Sequence, residues 1–340
     1  MTTRTTKQTS IGVYRWDAYH GGEGAIYETV RKCLGPARYH DKLPFFGAAH
    51  PDGTVDVDDT DESSKMDDEI SYARNGGVDY WIFLRYIDLD LTHAPMNKAY
   101  RTYLRSPRKG EVGFCWMLSH SLGDINVALW DDEKKKTIEA MQDGQWMRVL
   151  DNRPLLYLYQ DCARPSLKSK LDELRSLARE RGLAEPYIVA ISFDPEPYGC
   201  DARTEWPRSG GHGDPATAFS EVVTSQNQHL LTSPGKAVLA APVNWDSRPY
   251  HDHPPAWWKD PPDAWYRMPT SAEYRDRVQD AVDRSQARSG WCEANTLFVY
   301  AWNEFTEGGI MCPTRRMDGT IDTTILDGLA GVNKGGSGKM

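Results

Sequence analysis

Short apolar runs alternate with stretches of helical periodicity from one end of the chain to the other. The apolar runs have the length of β-strands, and the stretches between them repeat apolar residues every three or four positions, as one face of a helix does. The predicted strands are Ile11–Tyr19, Leu43–Ala48, Asp79–Tyr86, Val112–Ser119, Pro154–Asp161, Tyr187–Asp194, Ala237–Trp245 and Thr296–Glu304. The predicted helices are Glu23–Leu34, Ser64–Asn75, Pro95–Ser106, Asp131–Trp146, Ser166–Arg181, Pro215–Thr232 and Ser271–Ser289.

This alternation predicts a single α/β domain. Strands joined by amphipathic helices form right-handed crossovers in a parallel sheet, and eight of them close into a (β/α)8 TIM barrel. A doubly wound open sheet is the second possibility, but the glycine-rich segment 20–24 lacks the spacing of a dinucleotide-binding loop. Residues 11–330 are predicted to form the barrel, with long loops such as Pro195–Pro215 at the C-terminal ends of the strands. An extension over 1–10 precedes it, and a disordered tail over 331–340 follows.

The composition of the chain limits the kinds of partner that it is expected to bind. Asp and Glu outnumber Lys and Arg by 49 to 40, so the net charge is −9 and no basic surface for nucleic acid is expected. Because no apolar run has the length of a membrane span or a signal peptide, the sequence as it stands predicts a cytoplasmic protein without a membrane partner. The six cysteines include no CxxC pair and are predicted to be free thiols. The 12 Trp and 17 Tyr provide more flat aromatic surface than a core of this size needs.

Polar and aromatic residues gather where the predicted strands end. In a (β/α)8 barrel these C-terminal ends meet at one face, which is where active sites lie. Carboxylates and amides can bind sugar hydroxyls, and aromatic rings can stack on the C–H faces of sugars. The residues predicted to bind carbohydrate are Trp16, Asp17, Tyr19, His20, Tyr86, His120, Asp161, Asp194, Glu196, Asn244, Trp245, Asp246, Trp302 and Asn303.

The sharpest local feature is a pair of glutamates, Glu304 and Glu307, at the end of the last predicted strand. Gly308 and Gly309 permit the turn that would bring both carboxylates to the barrel mouth. Enzymes that cleave glycosidic bonds use such a pair, with one carboxyl group protonated as general acid and the other ionised. An ion pair or a helix cap made by one of the two glutamates is the alternative interpretation.

The segment around this pair, Ala301–Gly309 (AWNEFTEGG), resembles the AWNEWxEG signature of the glycoside hydrolase family 99-like proteins. These include endo-α-mannosidases and the WbsX-type proteins of bacterial surface-polysaccharide clusters. Three further stretches resemble family motifs in the same order along the chain, and they are Ala73–Phe83, Arg153–Tyr159 and Ala241–Arg248. The likeness covers the chain from Ser64 to Gly309.

The resemblance implies roles for the two glutamates. Glu307 is expected to be the general acid/base. Glu304 is expected to draw the proton from the sugar 2-hydroxyl, which attacks the anomeric carbon to give a 1,2-anhydro sugar with net retention, or else to act as a nucleophile. These roles ask for a raised pKa at Glu307 and an ionised Glu304. Phe305, Thr306 and the segment Cys115–His120, which lacks the family's Asn-Glu, depart from the pattern, so the resemblance does not fix the substrate.

The function predicted from these features is an endo-acting, retaining glycoside hydrolase that cleaves an α-linked polysaccharide, mannan-like or other, without a cofactor or a metal ion. Three alternatives stay open. They are a carbohydrate-binding barrel without catalysis, a WbsX-type glycosyltransferase and a metal-dependent hydrolase. The last would use Asp246, His251, Asp252 and His253, because a His-x-His pair beside carboxylates can bind zinc.

Overall fold

Parallel strands form the central sheet of the computed structural model. They are β1 (Ser10–Arg15), β2 (Tyr80–Arg85), β3 (Gly113–Leu118), β4 (Arg153–Leu158), β5 (Tyr187–Ile191), β6 (Ala202–Thr204), β7 (Lys236–Ala237 and Leu239–Ala240) and β8 (Thr296–Val299). The structure describes residues 8–19, 24–57, 62–119, 125, 127–207, 219–258 and 265–335. The predicted site residues His20 and His120 lie outside the described residues.

The sheet closes on itself through β7. The first part of β7 pairs with β6 and the second part pairs with β8, so one strand joins the two edges of the sheet. β8 in turn pairs with β1, and β1 with β2. Because every pairing around the ring is parallel, the predicted (β/α)8 barrel is confirmed and the open doubly wound sheet is excluded.

Helices alternate with these strands along the chain. They are α1 (Ala25–Leu34), α2 (Glu62–Asn75), α3 (Lys98–Arg105), α4 (Val127–Met141), α5 (Leu167–Glu180), α6 (Phe219–Thr232), α7 (Arg248–Asp252), α8 (Ser271–Ala287) and α9 (Thr324–Ala330). A capping box between Thr270 and Glu273 starts α8. The connection from β5 to β6, described throughout, contains the 3-10 turn Glu196–Tyr198 in place of an α-helix. α9 packs on both α8 and α2.

The predicted strand Leu43–Ala48 is wrong. The chain forms a 3-10 helix at Ala37–Lys42, and Ala48–Ala49 pairs with Val55–Asp56 in a short antiparallel ladder outside the barrel. Pro44 has no N–H to donate to a ladder, and its carbonyl accepts the N–H of Gly47 at 2.7 Å in a tight turn. The apolar run therefore bends before it can extend.

The strand missing from the prediction is β6. It lies in a stretch predicted to be a loop, and two of its three residues, Arg203 and Thr204, are polar. Its backbone pairs with β5 on one side and β7 on the other. Its conformation therefore follows from its neighbours in the sheet rather than from its own hydrophobic pattern.

Side chains fill the N-terminal half of the barrel. The hydroxyl of Tyr80 lies 3.1 Å from that of Tyr157 and 2.8 Å from that of Thr296. A Cβ at Gly12 would lie 2.2 Å from the Tyr80 ring, so the glycine makes room for that ring. The opposite, C-terminal end is where the strand-end residues meet.

The segment after α9 packs against the N-terminal end of the barrel. The ammonium group of Lys334 bonds to the Asp79 carboxylate at 2.7 Å, and its carbonyl accepts the N–H of Thr9 at 2.8 Å. Residues 331–335 of the predicted tail thus make contacts with the barrel, while 336–340 lie outside the described part. All six cysteines are free thiols, as predicted. None of the described helices has the length and apolar character needed to cross a membrane.

Candidate functional site

Glu304 and Glu307 lie on a hairpin that follows β8 at the C-terminal end of the barrel. Asn303–Glu304 pairs antiparallel with Gly309–Ile310, so both glutamates belong to one tight turn. Gly308 has a φ of 82°, and a Cβ there would lie 2.7 Å from the backbone nitrogen of Asp246. That close approach lets the Asp246 N–H donate to the carbonyl of Glu307 at 2.7 Å. Glycine suits this position because it adopts a positive φ readily and has no Cβ.

Both glutamates line one cavity of about 270 Å³, named here the Glu304 cavity. Three of the residues predicted to bind carbohydrate, Trp16, Tyr86 and Asp161, line it as well. The other lining residues are not in the set predicted to bind carbohydrate, and they are Tyr14, Ile26, Leu84, His93, Ser119, Tyr159, Tyr250 and Trp257. The wall therefore combines carboxylates with a large share of aromatic rings.

Glu304 is the deeper of the two glutamates. Its side chain is buried, and its Oε2 has no hydrogen-bond partner among the described residues. Burial raises the pKa of Glu304 well above the usual 4.5, and the negative charges of Glu307 and Asp17 raise it further. These causes favour the protonated form of Glu304 in the free protein.

Glu307 is half-buried, and its carboxylate is held by the barrel. The hydroxyl of Tyr300 donates a hydrogen bond to its Oε2, and the Tyr300 ring stacks on Tyr14 with 5.8 Å between centroids. A hydrogen bond donated to a carboxylate favours its charged form. The expected order of the two pKa values, with the higher one at Glu307, stays a prediction, and the burial of Glu304 is a cause that acts against it.

Buried hydroxyl groups lie near Glu304. The side chains of Tyr19, Tyr250 and Thr306 are buried together, and a hydrogen bond with the Thr306 side chain acts to lower the pKa of each tyrosine. Burial is the main cause of the raised pKa of both tyrosines, and the negative charges of Glu304 and Glu307 contribute. The three residues therefore form a buried polar cluster beside Glu304, and only Tyr250 of the three lines the Glu304 cavity.

Three residues predicted to bind carbohydrate instead support the hairpin. The side-chain amide of Asn303 donates to Asp17 at 2.9 Å, and Asp17 accepts two hydrogen bonds from Arg15 at 3.0 and 2.8 Å. Trp302 is fully buried and donates from Nε1 to Glu69 at 3.0 Å. None of these three residues lines the Glu304 cavity.

Arg15 joins this support network. Its Nη2 lies 2.8 Å from Asp17 and 2.9 Å from Glu69, and its guanidinium lies 4.4 Å from the centre of the Trp81 ring. Burial opposes its charge, but the carboxylates of Asp17 and Glu69 outweigh burial and raise the pKa of Arg15. The network connects β1, α2 and the hairpin that carries the two glutamates.

Asp246 and Asn244 also lie outside the Glu304 cavity. Asp246 is buried between Lys42 at 2.9 Å and Arg248 at 2.7 Å. Burial alone would raise the pKa of Asp246, but these two cations lower it. The amide of Asn244 donates to the carbonyl of Tyr266 at 2.9 Å. Both side chains are therefore committed to contacts within the protein.

The last three predicted residues are separate from the pair as well. Trp245 is largely buried and stacks on Trp258 with 6.2 Å between centroids. Asp194 and Glu196 are exposed, and the Asp194 carboxylate accepts the N–H of Glu196 at 3.1 Å. Asp194 lines a different pocket, of about 470 Å³. The structure thus brings neither these residues nor Tyr19 into the wall of the Glu304 cavity.

Three of the four residues considered for a metal-dependent hydrolase, Asp246, His251 and Asp252, have other partners. In the 246–253 loop, a ring nitrogen of His251 lies 3.2 Å from the hydroxyl of Ser247, and Asp252 forms an ion pair with Arg38. Within the described ranges, no group of three or more His, Cys, Asp and Glu side chains is placed to hold a metal ion.

Sequence reasoning missed Tyr14 and His93 for two different reasons. Tyr14 lies inside β1, where an aromatic residue looks like core. Because side chains alternate along a strand, counting back two positions from Trp16 would have found it. His93 lies in the loop after β2, where it stacks on Tyr86 at 4.9 Å and bonds to Asp90 at 2.8 Å. No strand-end pattern marks that position.

A family model described as Glycosyltransferase WbsX matches residues 126–321. Among solved structures, one titled "Glycoside hydrolase-like protein" has a TM-score of 0.65 and 13% identity, over 96% of this chain and 94% of that chain. The GH99 endo-alpha-mannosidase from Bacteroides thetaiotaomicron, in complex with bis-tris-propane, has a TM-score of 0.58 and 11% identity, over 94% of both chains. A second structure of that enzyme has a TM-score of 0.58 and 10% identity, over 94% of this chain and 95% of that one.

At these identities the likeness to solved structures concerns the fold, which is that of glycoside hydrolase barrels. Among curated proteins, no sequence matches the chain. The family model covers more than half of the chain, including the hairpin with both glutamates.

Proposed function

The chain belongs to the WbsX family, and we propose that it is a glycoside hydrolase whose reacting groups are the carboxyl groups of Glu304 and Glu307. The observation that carries this proposal is that both glutamates occupy one tight turn, line one cavity and have unequal surroundings. Glycosidic cleavage needs one protonated and one ionised carboxyl group beside the bond that breaks. The burial of Glu304 and the hydrogen bond from Tyr300 to Glu307 supply such an inequality.

The proposed steps follow the family resemblance. Glu304 takes the proton of the sugar 2-hydroxyl, whose oxygen attacks the anomeric carbon while Glu307 protonates the departing oxygen. Glu307 then removes a proton from water, which attacks the anomeric carbon and opens the 1,2-anhydro ring, and Glu304 returns its proton to the 2-oxygen. The product keeps the original anomeric configuration.

This sequence requires the proton of the pair to move from Glu304 to Glu307 when substrate binds. Oε2 of Glu304 is buried and has no donor within the described residues. A sugar hydroxyl that donates to the Glu304 carboxylate from the cavity lowers the pKa of Glu304, because it stabilises the charged form. In this proposal, substrate binding therefore ionises Glu304, which can then act as the base, and Glu307 carries the proton.

The wall of the cavity supports a carbohydrate substrate. Trp16, Tyr86 and Trp257 line it together with the carboxylates, and Trp257 is 46% exposed. Flat aromatic faces pack on the apolar faces of sugar rings, while carboxylates accept hydrogen bonds from sugar hydroxyls. The proposed substrate is an α-linked polysaccharide, mannan-like or other, cleaved internally.

A second candidate, glycosyl transfer to a surface polysaccharide, is favoured by the description of the family model. A nucleotide-sugar donor would place a diphosphate at the reacting centre. Three carboxyl-bearing residues, Glu304, Glu307 and Asp161, line the Glu304 cavity, and none of its described lining residues is a lysine or arginine. Like charges repel in such a setting, so hydrolysis is the better-supported reaction.

Incubation with a panel of bacterial, fungal and plant polysaccharides separates the candidates. The proposal expects new reducing ends and oligosaccharides of several sizes without any nucleotide sugar, and full activity after exhaustive chelation. Chain growth that depends on a nucleotide sugar would favour the transferase. Binding to a polysaccharide without new reducing ends would favour a barrel without catalysis, and loss of activity on chelation would favour the metal-dependent hydrolase.

A further inference from the structure

Asp161 is a third carboxyl-bearing residue at the Glu304 cavity, and the proposed steps do not use it. It lies in the 3-10 turn Gln160–Cys162 that follows β4. It is half-buried and lines the cavity together with Glu304 and Glu307. Among the residues that the structure describes, its carboxylate has no hydrogen-bond or ion-pair partner. This carboxylate is therefore available to a ligand in the cavity.

The ring of Tyr159 lies between Asp161 and the reacting pair. Tyr159 lines the Glu304 cavity as well. Burial is the main cause of the raised pKa of Tyr159, and the negative charges of Asp161, Glu307 and Glu304 raise it further. Because such effects fall off with distance, all three carboxyl groups lie near this one ring. A ligand at the glutamates is therefore close enough to interact with the charge of Asp161.

The described wall of the cavity has an excess of acidic groups. It contains three carboxyl-bearing residues and neither a lysine nor an arginine. The ring of His93, which also lines it, has its Nδ1 2.8 Å from the carboxylate of Asp90, so a positive charge on that ring is already paired. Arg164, the nearest cationic residue to Asp161 along the chain, is exposed and lies outside this wall.

These charges indicate the kind of ligand that fits. A neutral sugar leaves the repulsion between Asp161 and the glutamates unchanged, whereas an ammonium group on the ligand reduces it. Trp16, Tyr86 and Tyr159 line the same cavity, and the face of an aromatic ring attracts a cation. The acidic groups and the rings thus both favour a sugar with a positive charge.

A positive charge on the substrate also assists the proposed steps. They need an ionised Glu304 when substrate is bound, whereas burial and nearby negative charges raise the pKa of Glu304 in the free protein. An ammonium group in the cavity lowers this pKa, because an opposite charge stabilises the charged form. The steps also need a hydroxyl at C2 of the sugar that reacts, so the amine belongs to a neighbouring sugar.

We propose that Asp161 binds the ammonium group of an amino sugar in the polysaccharide that the Glu304 cavity cleaves. The inference rests on the proposed function, because it takes the ligand to be part of that substrate. The amino sugar is the neighbour of the sugar whose anomeric carbon reacts. The substrate class is thus an α-linked polysaccharide that contains hexosamine units with free amino groups.

Isothermal titration calorimetry with D-glucosamine, N-acetyl-D-glucosamine, D-glucose and methylammonium tests the binding part. At about pH 6 the amines are protonated. Glucosamine is expected to bind about tenfold more tightly than each of the other three, because it alone combines a sugar ring with a positive charge. Glucosamine binding no tighter than that of either neutral sugar, or methylammonium binding as tight as that of glucosamine, would overturn the proposal.

Substitutions at Asp161 test whether this residue causes the preference. Asp161→Asn removes the charge and keeps the shape, so it should abolish the preference for glucosamine without changing the affinity for glucose. Asp161→Glu keeps the charge and should retain part of the preference. Since Asp161 has no partner among the described residues, both variants should unfold at the same midpoint as the parent.

Asp151→Asn is the matched control. Asp151 is exposed and lies shortly before β4, so this variant removes the same charge at the opposite end of the same strand and should change nothing. A preference for glucosamine that survives Asp161→Asn, or that Asp151→Asn also abolishes, would overturn the proposal.

The cleavage arm uses an α-linked polysaccharide with galactosamine units, in its free-amine form and after chemical N-acetylation. The parent chain should cleave the free-amine form with a kcat/KM about tenfold higher, and Asp161→Asn should remove the difference. A difference that survives Asp161→Asn would contradict the role of Asp161, because the bulk of the acetyl group would then explain it.

Two further outcomes separate this inference from the proposed function. Equal cleavage of both forms, or cleavage confined to polysaccharides without amino groups, would overturn the amino-sugar proposal while the hydrolase function stands. Selective glucosamine binding without cleavage of any polysaccharide would overturn the hydrolase function while the ammonium site stands.

Discussion

The hydroxyl of Tyr300 donates a hydrogen bond to Oε2 of Glu307 across the turn that follows β8. Tyr300 is buried and stacks on Tyr14, so the donor belongs to a fixed ring rather than to a mobile side chain. The contact orients the carboxylate of Glu307 toward the cavity that it shares with Glu304. It also makes the surroundings of the two glutamates unequal, which is what acid–base chemistry between them requires.

Removal of this donor should slow turnover. Tyr300→Phe is expected to lower kcat about 10–100-fold, because a hydrogen bond to a charged group contributes about 1.5–3 kcal/mol. Steady-state kinetics on a cleaved polysaccharide measures the effect. Tyr187→Phe is the matched control, since the Tyr187 hydroxyl bonds to another glutamate, Glu293, at 3.4 Å. An undiminished kcat in Tyr300→Phe would contradict the orienting role.

The raised pKa of Glu304 predicts a pH-dependent cost in stability. The folded chain binds this proton more tightly than the unfolded chain does, so the contribution of Glu304 is full below about pH 4.5 and is lost as the pH rises through the folded-state pKa. Glu304→Gln removes the titration. Relative to the parent, this variant should gain stability from pH 4 to pH 8, by about 1.4 kcal/mol for each unit of the pKa shift.

Urea denaturation at a series of pH values tests this prediction. Glu139→Gln, at an exposed position on α4, should track the parent at every pH. A difference between Glu304→Gln and the parent that stays constant from pH 4 to pH 8 would mean that Glu304 ionises normally.

The close contact at Gly308 predicts that the hairpin tolerates no side chain there. A left-handed φ costs an alanine about 1–2 kcal/mol, and the added Cβ would also meet the backbone of Asp246 at 2.7 Å. Gly308→Ala should therefore displace the glutamates and lower kcat about a hundredfold. Gly319→Ala shares the same φ range, at 83°, but has open space around it, so it should lose stability only. Equal kcat values in the two variants would contradict the role of Gly308 in positioning the glutamates.

The buried network behind the hairpin predicts a structural phenotype. Glu69→Ala removes one of the two carboxylates that pair with Arg15 among the described residues and leaves Trp302 without this acceptor, and the loss of a buried ion-pair partner costs about 3–5 kcal/mol. Glu69→Gln keeps an oxygen acceptor and should cost less. Denaturant unfolding measures both variants, with Glu139→Ala on the surface of α4 as control. A midpoint for Glu69→Ala within error of the parent would show that the network does not stabilise the fold.

The barrel could be predicted from the sequence because most of its strands are apolar and separated by amphipathic helices. The errors have local causes. Leu43–Ala48 has the composition of a strand, but Pro44 and Gly47 bend it. β6 is held by its neighbours and carries two polar residues, so its own pattern does not indicate a strand.

The candidate site likewise contains residues whose role could be predicted from the sequence and residues whose role could not. Glu304 and Glu307 could be found because two carboxyl groups and two glycines fall within one short motif. Trp302 and Asp17 share the strand-end position and the chemistry of ligand-binding residues, yet they contact Glu69 and Arg15 inside the protein. A strand-end pattern predicts which residues reach the barrel mouth, whereas the direction of each side chain depends on contacts that are distant in sequence.

Release of reducing ends from a cleaved polysaccharide by the parent, Glu304→Gln and Glu307→Gln tests the catalytic pair most directly. Both variants should retain the fold, as judged by circular dichroism, and each should lose at least 99.9% of the turnover, on the order of the 10³-fold or greater loss that follows removal of a reacting group. Near-normal turnover in either variant would contradict the assignment of Glu304 and Glu307 as the reacting pair.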